Sequence, residues 1–358
     1  MEKNQLKRGS LTHIMENRFI LNKNEISHVT NLVETCLDSY KSFDDYQFLK
    51  NLPLMAHKLP ERLSTFLNEF KYNPNKEGCC VVSTGLVDSV RLGATPSHWE
   101  HETNNDTCQT EVMAMCLCAS ILGDIFGWLT QQDGQVVHDI VPIEKHKSEQ
   151  LGSGSNEELT WHTEDAFHEL RGDYLIMMCL RNNHSIPTTI SKPDYSKLTK
   201  EHIDTLFEKK FVIRPDNSHK PENSSKARKQ VLTNDEGLKY AYDTMLNRDA
   251  APEKIAILFG NKNDPCLRID PYFMDEPEDL KAREAYAAIV ELVTESLVEV
   301  SLNPGEILIV DNYEVVHGRR AFQAKFDGTD RWYKRLNVIR DIRRCNEVLE
   351  AKQSRIVY

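Results

Sequence analysis

His162 and Glu164 stand two residues apart in Leu159-Thr160-Trp161-His162-Thr163-Glu164-Asp165-Ala166-Phe167-His168, and that spacing restricts the fold more than any other feature of the chain. On an extended strand side chains alternate with period two, so both leave the same face. On a helix they would point about 200° apart and could not chelate one ion. One imidazole and one carboxylate make two-thirds of the 2-His-1-carboxylate facial triad, which holds non-haem Fe(II) and leaves coordination positions open. The third ligand must then be a distant histidine, brought back beside the first pair.

His317 meets that need. An apolar strand, Ile307-Leu308-Ile309-Val310, ends at the turn pair Asp311-Asn312, and His317 follows shortly after. It lies 153 residues beyond Glu164 and returns to it only in a barrel-like topology. Arg331 stands fourteen residues beyond His317, and Arg335 follows at strand spacing on the same face. A buried, permanently charged arginine requires an anionic partner, and a carboxylate fits its planar fork. A second His-x-Glu, His98-Trp99-Glu100 followed by His101, has loop-like flanks (Pro96, Ser97, Asn104-Asn105-Asp106) and reads as a surface loop bordering the site's mouth. His168 reads as a hydrogen-bonding neighbour, and His138, His146 and His219 as surface or strand histidines. Arg319 and Arg320 read as structural ion-pair residues.

Composition narrows the class. At 358 residues with 40% hydrophobic content, the chain can bury a real core. Its net charge of −11 and lack of a long basic run exclude nucleic-acid or anionic-membrane binding by bulk charge. The most apolar window, Val112 to Leu129, contains Ser120 and Asp124 and reads as a buried core helix, not a membrane span. The polar opening Met1-Glu2-Lys3-Asn4-Gln5 has no apolar signal-peptide core. Nine scattered cysteines without a C-x-x-C pair suit small buried hydrophobes in a reduced, cytoplasmic protein.

Along the chain, the pattern predicts a short strand at Phe19–Leu21, a helix over Ile26–Tyr40 capped by Asn22 or Asn24, and a helix from Pro60. Gly78–Thr84 reads as a buried strand. From Gln135 onward strand-like runs dominate: 136–141, 173–180, 255–260, 306–312 and 332–341, interrupted by helices near 197–210 and 279–302. Residues 215–236 are polar and read as a mobile lid. The expected fold is mixed α/β with a mainly β core. It is a double-stranded β-helix (jelly roll) flanked by N-terminal and inserted helices, one domain over 1–358 with its helical part at about 20–130.

His162-Thr163-Glu164, followed much later by His317 and Arg331, resembles the Fe(II)/2-oxoglutarate-dependent dioxygenases of the clavaminate synthase-like, TauD-related branch, where Glu replaces the more usual Asp. The likeness spans about Asn51 to Arg340 and is closest to hydroxylases of free arginine, asparagine or lysine. Gly127-Trp128-Leu129-Thr130-Gln131-Gln132-Asp133-Gly134, Ile213-Arg214-Pro215-Asp216 and Val316-His317-Gly318-Arg319-Arg320-Ala321-Phe322 are similar to an arginine 3-hydroxylase. The resemblance implies that His162, Glu164 and His317 ligate iron and that Arg331 binds the distal carboxylate of 2-oxoglutarate, with O2 as the other cosubstrate. It implies that Gln131 and the free oxygen of Glu164 receive a substrate α-ammonium, and Arg335 its α-carboxylate, helped by backbone around Leu151–Ser153. Asp216 and Asp270 would face the distal cation of a free basic amino acid.

The arginine enzyme places two aspartates around one glycine, whereas this chain reads Asp270-Pro271-Tyr272. One carboxylate and a phenol suit a compact ammonium better than a guanidinium fork. The expectation is therefore hydroxylation of free L-lysine, at C4 in preference to C3, giving hydroxylysine, succinate and CO2. L-Arginine 3-hydroxylation is the alternative. A non-catalytic, cupin-like metal-binding protein is the reading from another class, and Arg331 argues against it, because such a module needs no carboxylate clamp beside its metal.

Overall fold

Strands covered on both faces read as near-continuous apolar runs, as Cys79–Ser83 and Tyr174–Arg181 do, while the central strand Trp332–Ile339 carries Lys334, Arg335 and Asn337 among its apolar residues. The computed structural model describes residues 17–72, 78–100, 107–225, 235–351 and 353–358. Its larger sheet runs, in spatial order, Arg18–Ile20, Cys79–Ser83, Glu306–Asp311, Tyr174–Arg181, Trp332–Ile339, Asp124–Trp128 and Ile356–Val357, with His138–Ile140 also pairing to Trp332–Ile339. Alternation divides each strand between two cores. Ile176, Met178, Leu180, Ile307 and Ile309 face the helices, which include Lys23–Ser39, Glu61–Tyr72 and Gln109–Leu122. Leu175, Met177, Cys179, Leu308 and Val310 face a second sheet.

That second sheet has four strands, ordered Val298–Val300, Thr188–Ser191, Val316–Arg319 and Leu159–His162. Ile190, Val298, Val300 and Val315 fill the space between the sheets. Its outer side is covered by the inserted helices Lys200–Leu206 and Leu280–Glu295, through Leu206, Ala282, Ala285 and Ile289 packed on Trp161 and Val316. The two facing sheets form the expected double-stranded β-helix.

Local signals explain the first helix. Asn22 Oδ1 accepts from the backbone of Asn24 and Glu25 at 3.0 Å, and the Glu25 carboxylate accepts from Asn22 N at 2.8 Å, a closed capping box. Eight of the nine cysteines are buried, Cys266 is half-buried, and no two of them form a disulfide. Among the described residues no helix is long and apolar enough to cross a membrane.

Several expectations change. The window Val112–Leu129 is not one helix: the helix Gln109–Leu122 stops and a strand, Asp124–Trp128, begins. Gly123 lies at the break, where its α-carbon abuts the backbone of Ile339 and leaves no room for a Cβ. The run 279–302 likewise divides into the helix Leu280–Glu295 and the strand Val298–Val300. Among the described residues, the helices Tyr46–Ala56, with Pro53 inside it, and Glu236–Ala250 and the single turn Ser89–Leu92 were not anticipated. Of the expected lid, 226–234 lies outside the described residues. Residues 215–225 form two short helical turns anchored by His219, which is 1% exposed, so this part is not a loose surface loop. Its anchor is polar, which is why an apolar-poor sequence can still pack there.

Candidate active site

Backbone register brings the two histidines together. Leu159–His162 and Val316–Arg319 pair antiparallel with His317 directly opposite His162, and the ring centroids lie 4.6 Å apart. Glu164 is not on the strand, which ends at His162. It sits in the following turn, where Asp165 has φ +50°. Its position is set instead by Asn312. That side chain accepts from Glu164 N at 2.8 Å and donates to the carbonyls of Glu164 at 3.0 Å and Gly172 at 2.9 Å. Sequence reading took Asn312 for a turn residue; nothing local marks its long-range clamp.

The clamp delivers Glu164 Oε2 to 3.4 Å from both His162 Nε2 and His317 Nε2. The Thr160 carbonyl can only accept, so at 2.8 Å it fixes a proton on His162 Nδ1 and leaves Nε2 as the ring nitrogen turned toward Glu164. Burial alone would raise the Glu164 pKa, but the Arg335 charge and hydrogen bonds from both histidines hold it well below the carboxylate range. Burial would also neutralise His162, yet Glu164 and the charge of Asp270 push it up to about 9. His317 is shifted down by burial and by His162. An anionic oxygen among converging imidazoles is the field and donor set that suits a small dication, and the three side chains fit Fe(II).

Arg331 and Arg319 line the same cavity, 5% and 3% exposed. Arg331 lies over the Tyr333 ring at 3.7 Å, and its Nε has no hydrogen-bond partner. Among the described residues no carboxylate pairs with it. This is the buried, unsatisfied cation that a cosubstrate carboxylate fits. Arg319 departs from expectation: Arg320 makes the ion pairs, to Glu299 at 2.6 Å and Glu158 at 2.8 Å. Arg319 donates to the Arg320 carbonyl at 2.8 Å, and burial and the Arg331 charge push its pKa down to about 9. Thr188, 1% exposed on the cavity wall with an unpartnered Oγ1, is a further polar group that sequence reading passed over.

The substrate-facing candidates divide. Arg335 donates to Glu164 Oε1, to Gln131 Oε1 at 3.2 Å and to His138 Nδ1 at 2.8 Å. It therefore braces the free carboxylate oxygen of Glu164. Gln131 also donates to Ser218 at 2.6 Å and lies behind the cavity wall, in a small adjoining cavity. Asp216, Asp270, Tyr272, Leu151 and Gly152 all line the main cavity. Asp270 is 6% exposed, accepts only from the backbone of Tyr272 and Phe273, and burial pushes its pKa up to about 6. Tyr272 is 55% exposed, packed edge-on against Phe273 at 4.9 Å, and stands at the rim.

Of the three histidines read as surface or strand residues, His138 lies on the strand His138–Ile140, and none of the three is exposed. His138 and His146 are 3% and 5% exposed, and His138 is kept neutral, its pKa pushed down to about 3 by burial and the Arg335 charge. His219 meets Thr130 Oγ1 at 2.7 Å and Asp165 Oδ1 at 3.1 Å, tying 215–225 to the turn beside Glu164. Asp165, Asp216 and His219 also converge, but Asp165 is already saturated by Trp128 Nε1 at 2.6 Å, Gln131 and Asn337. That grouping is a polar tie. His168 accepts from Leu170 N at 3.0 Å and packs on Trp128, as a neighbour would. His98 and Glu100 pair at 3.8 Å and line neither cavity, Trp99 between them lines the small adjoining cavity beside Arg335, and His101 lies outside the described residues.

Comparison with known proteins bears on this geometry. Residues 194–337 match the taurine catabolism dioxygenase TauD, TfdA family. The enduracididine beta-hydroxylase of Streptomyces hygroscopicus is 37% identical over 94% of this chain and 98% of its own. The L-ornithine/L-arginine 3-hydroxylase of Catenulispora acidiphila is 37% identical over 89% of this chain and 93% of its own. An L-lysine 4-hydroxylase of Chitinophaga pinensis stands further off, at 27% over 80% of this chain and 72% of its own. The crystal structure of the non-heme iron oxygenase OrfP with Fe, succinate and (3S)-hydroxy-L-Arg superposes with a TM-score of 0.90 at 40% identity, covering 95% of this chain and 99% of that one.

Proposed function

Because this chain belongs to the Fe(II)/2-oxoglutarate-dependent dioxygenases, among the amino-acid hydroxylases of the TauD/TfdA family, we propose that it hydroxylates free L-arginine, or a close guanidino analogue, at C3. Iron with 2-oxoglutarate and O2 supplies the oxidising power to place oxygen on an unactivated C–H bond, releasing succinate and CO2. His162 Nε2, Glu164 Oε2 and His317 Nε2 hold the metal. Arg331, with the Thr188 hydroxyl on the wall of the same cavity, holds the distal carboxylate of 2-oxoglutarate. Arg335 keeps the second oxygen of Glu164 oriented and receives the substrate's α-carboxylate, and Gln131 braces Arg335 from behind the wall.

The observation that carries the substrate is the pair Asp216 and Asp270 on one cavity wall, with Asp270 buried and without a cation. Two carboxylates suit the planar guanidinium fork. The preference for lysine rested on Tyr272 as a pocket phenol, and a half-exposed ring at the rim supports it poorly. The relatives named for arginine, more similar than the one named for lysine, weigh the same way. C3 attack rests on those same relatives, since a fraction of an ångström in substrate placement decides the carbon.

The test compares L-arginine with L-lysine under Fe(II), ascorbate and 2-oxoglutarate, and locates the new hydroxyl by NMR. The expected kcat/KM favours arginine by roughly tenfold or more, about 1.4 kcal/mol, with oxygen on C3. A preference for lysine, or a hydroxyl on C4, contradicts the proposal.

A further inference from the structure

On the far side of the turn that carries Glu164 lies a second, larger concavity of about 1230 Å³, which shares no lining residue with the metal cavity. Its walls carry six cationic side chains, Arg171, Lys209, Arg248, Lys254, Arg268 and Arg344, against the acids Glu169, Asp173 and Glu253. This is a basic surface on a chain of net charge −11. Two of the acids are taken: Glu169 pairs with Arg248 at 3.1 Å and Asp173 with Arg344 at 3.4 Å. Arg268 donates to the carbonyls of Ala166 at 2.5 Å and Phe167 at 2.8 Å. Among the described residues, no carboxylate pairs with Arg171, Arg268, Lys209 or Lys254.

Arg171 is the centre of this arrangement. It is 3% exposed, and its Nε and Nη2 have no hydrogen-bond partner. Its guanidinium lies 4.4 Å from the Tyr313 ring centroid and 5.3 Å from that of Phe259, both on the groove wall. Aromatic faces stabilise the charge in part but offer no acceptor in the guanidinium plane. Burial and the Arg344 charge lower the pKa of Arg171, and burial and the Arg171 charge push that of Arg268 down to about 10. A buried cation left this way is costly without an anion.

We infer that this groove is a binding site for a small molecule bearing a phosphate group, with the phosphoryl oxygens held by Arg171 and the lysines Lys209 and Lys254 at the rim. Cations approaching from several sides match the three acceptor oxygens of a phosphate better than the single fork of a carboxylate. Tyr240, 55% exposed on the same groove, offers a flat face to any ring attached to that phosphate. The site is independent of the proposed reaction and stands if that reaction is wrong.

Calorimetric titration of the full chain with inorganic phosphate and with adenosine monophosphate tests it. Fe(II) and 2-oxoglutarate are kept saturating, so that the Arg331 pocket is filled. The expected result is one saturable site, weakened roughly tenfold or more in both Arg171→Gln and Lys254→Glu. Lys254 is exposed, so its variant reports on the groove even if Arg171→Gln fails to fold. Tighter binding of the nucleotide than of phosphate assigns a role to the aromatic faces; equal binding assigns the site to the phosphoryl group alone. Absence of saturable binding for both probes, or affinities unchanged in Lys254→Glu, overturns the inference.

Discussion

Asn312 shows what a single residue contributes beyond the proposed metal ligands. It holds Glu164 by its backbone through three hydrogen bonds, where strand pairing has already ended. Asn312→Ala removes the clamp without touching a donor atom, so Fe(II) affinity should fall about 10- to 100-fold, as for other outer partners of metal ligands. Calorimetric metal titration, with far-UV circular dichroism to confirm the fold, checks this; an unchanged affinity would mean the turn holds Glu164 unaided. That His162, Glu164 and His317 converge, with Arg331 lining the same cavity, was legible because those residue types carry chemistry and the His-x-Glu spacing places two of them together. Asn312, Thr188 and the contacts of His138 were not. Asn312 and His138 answer to Glu164 and Arg335 far away in sequence, Thr188 is marked only by its place on the cavity wall, and the polar residue type alone has many commoner uses. Tyr272 was legible only in part for a related reason: sequence places a residue beside a pocket but does not say that its ring stands at the rim.

At the level of elements, the site depends on how closely the strands Leu159–His162 and Val316–Arg319 approach. Gly318, between His317 and Arg319, permits that approach: a Cβ there would lie 2.6 Å from the Leu159 carbonyl oxygen and 2.8 Å from Thr189 Oγ1. Gly318→Ala should therefore spread the strands at a cost of about 1–3 kcal/mol and reduce turnover by more than its loss of stability explains. Thermal melts beside steady-state kinetics test this, and wild-type kcat in a folded variant would refute it. The strands of the larger sheet were legible as apolar runs. The helix Gln109–Leu122 and the strand Asp124–Trp128 merged into one window because both are buried all round, which erases the period that separates helix from strand. The helix Glu236–Ala250 was missed for the opposite reason, since its buried face is only Leu238, Ala241, Tyr242 and Met245 on a polar sequence.

For the whole molecule, two sheets share one core while helices cover the outer faces of both, and the metal cavity lies between strands of the smaller sheet and the arginines of Trp332–Ile339 and its approach. The packing buries even a lysine: Lys334, 0% exposed, meets Asp139 at 2.8 Å beside the Trp332 indole. Close packing around the site is what is required to present one C–H bond of a small, flexible substrate to an oxidant. The direct measurement is the stoichiometry of succinate to hydroxylated amino acid when the protein, Fe(II) and 2-oxoglutarate are mixed with L-arginine in air, in wild type and in Glu164→Ala. Close to one succinate per hydroxyarginine in the wild type, with neither product in the variant, is the predicted result. Succinate formed without a hydroxylated amino acid, or undiminished product from Glu164→Ala, would contradict it.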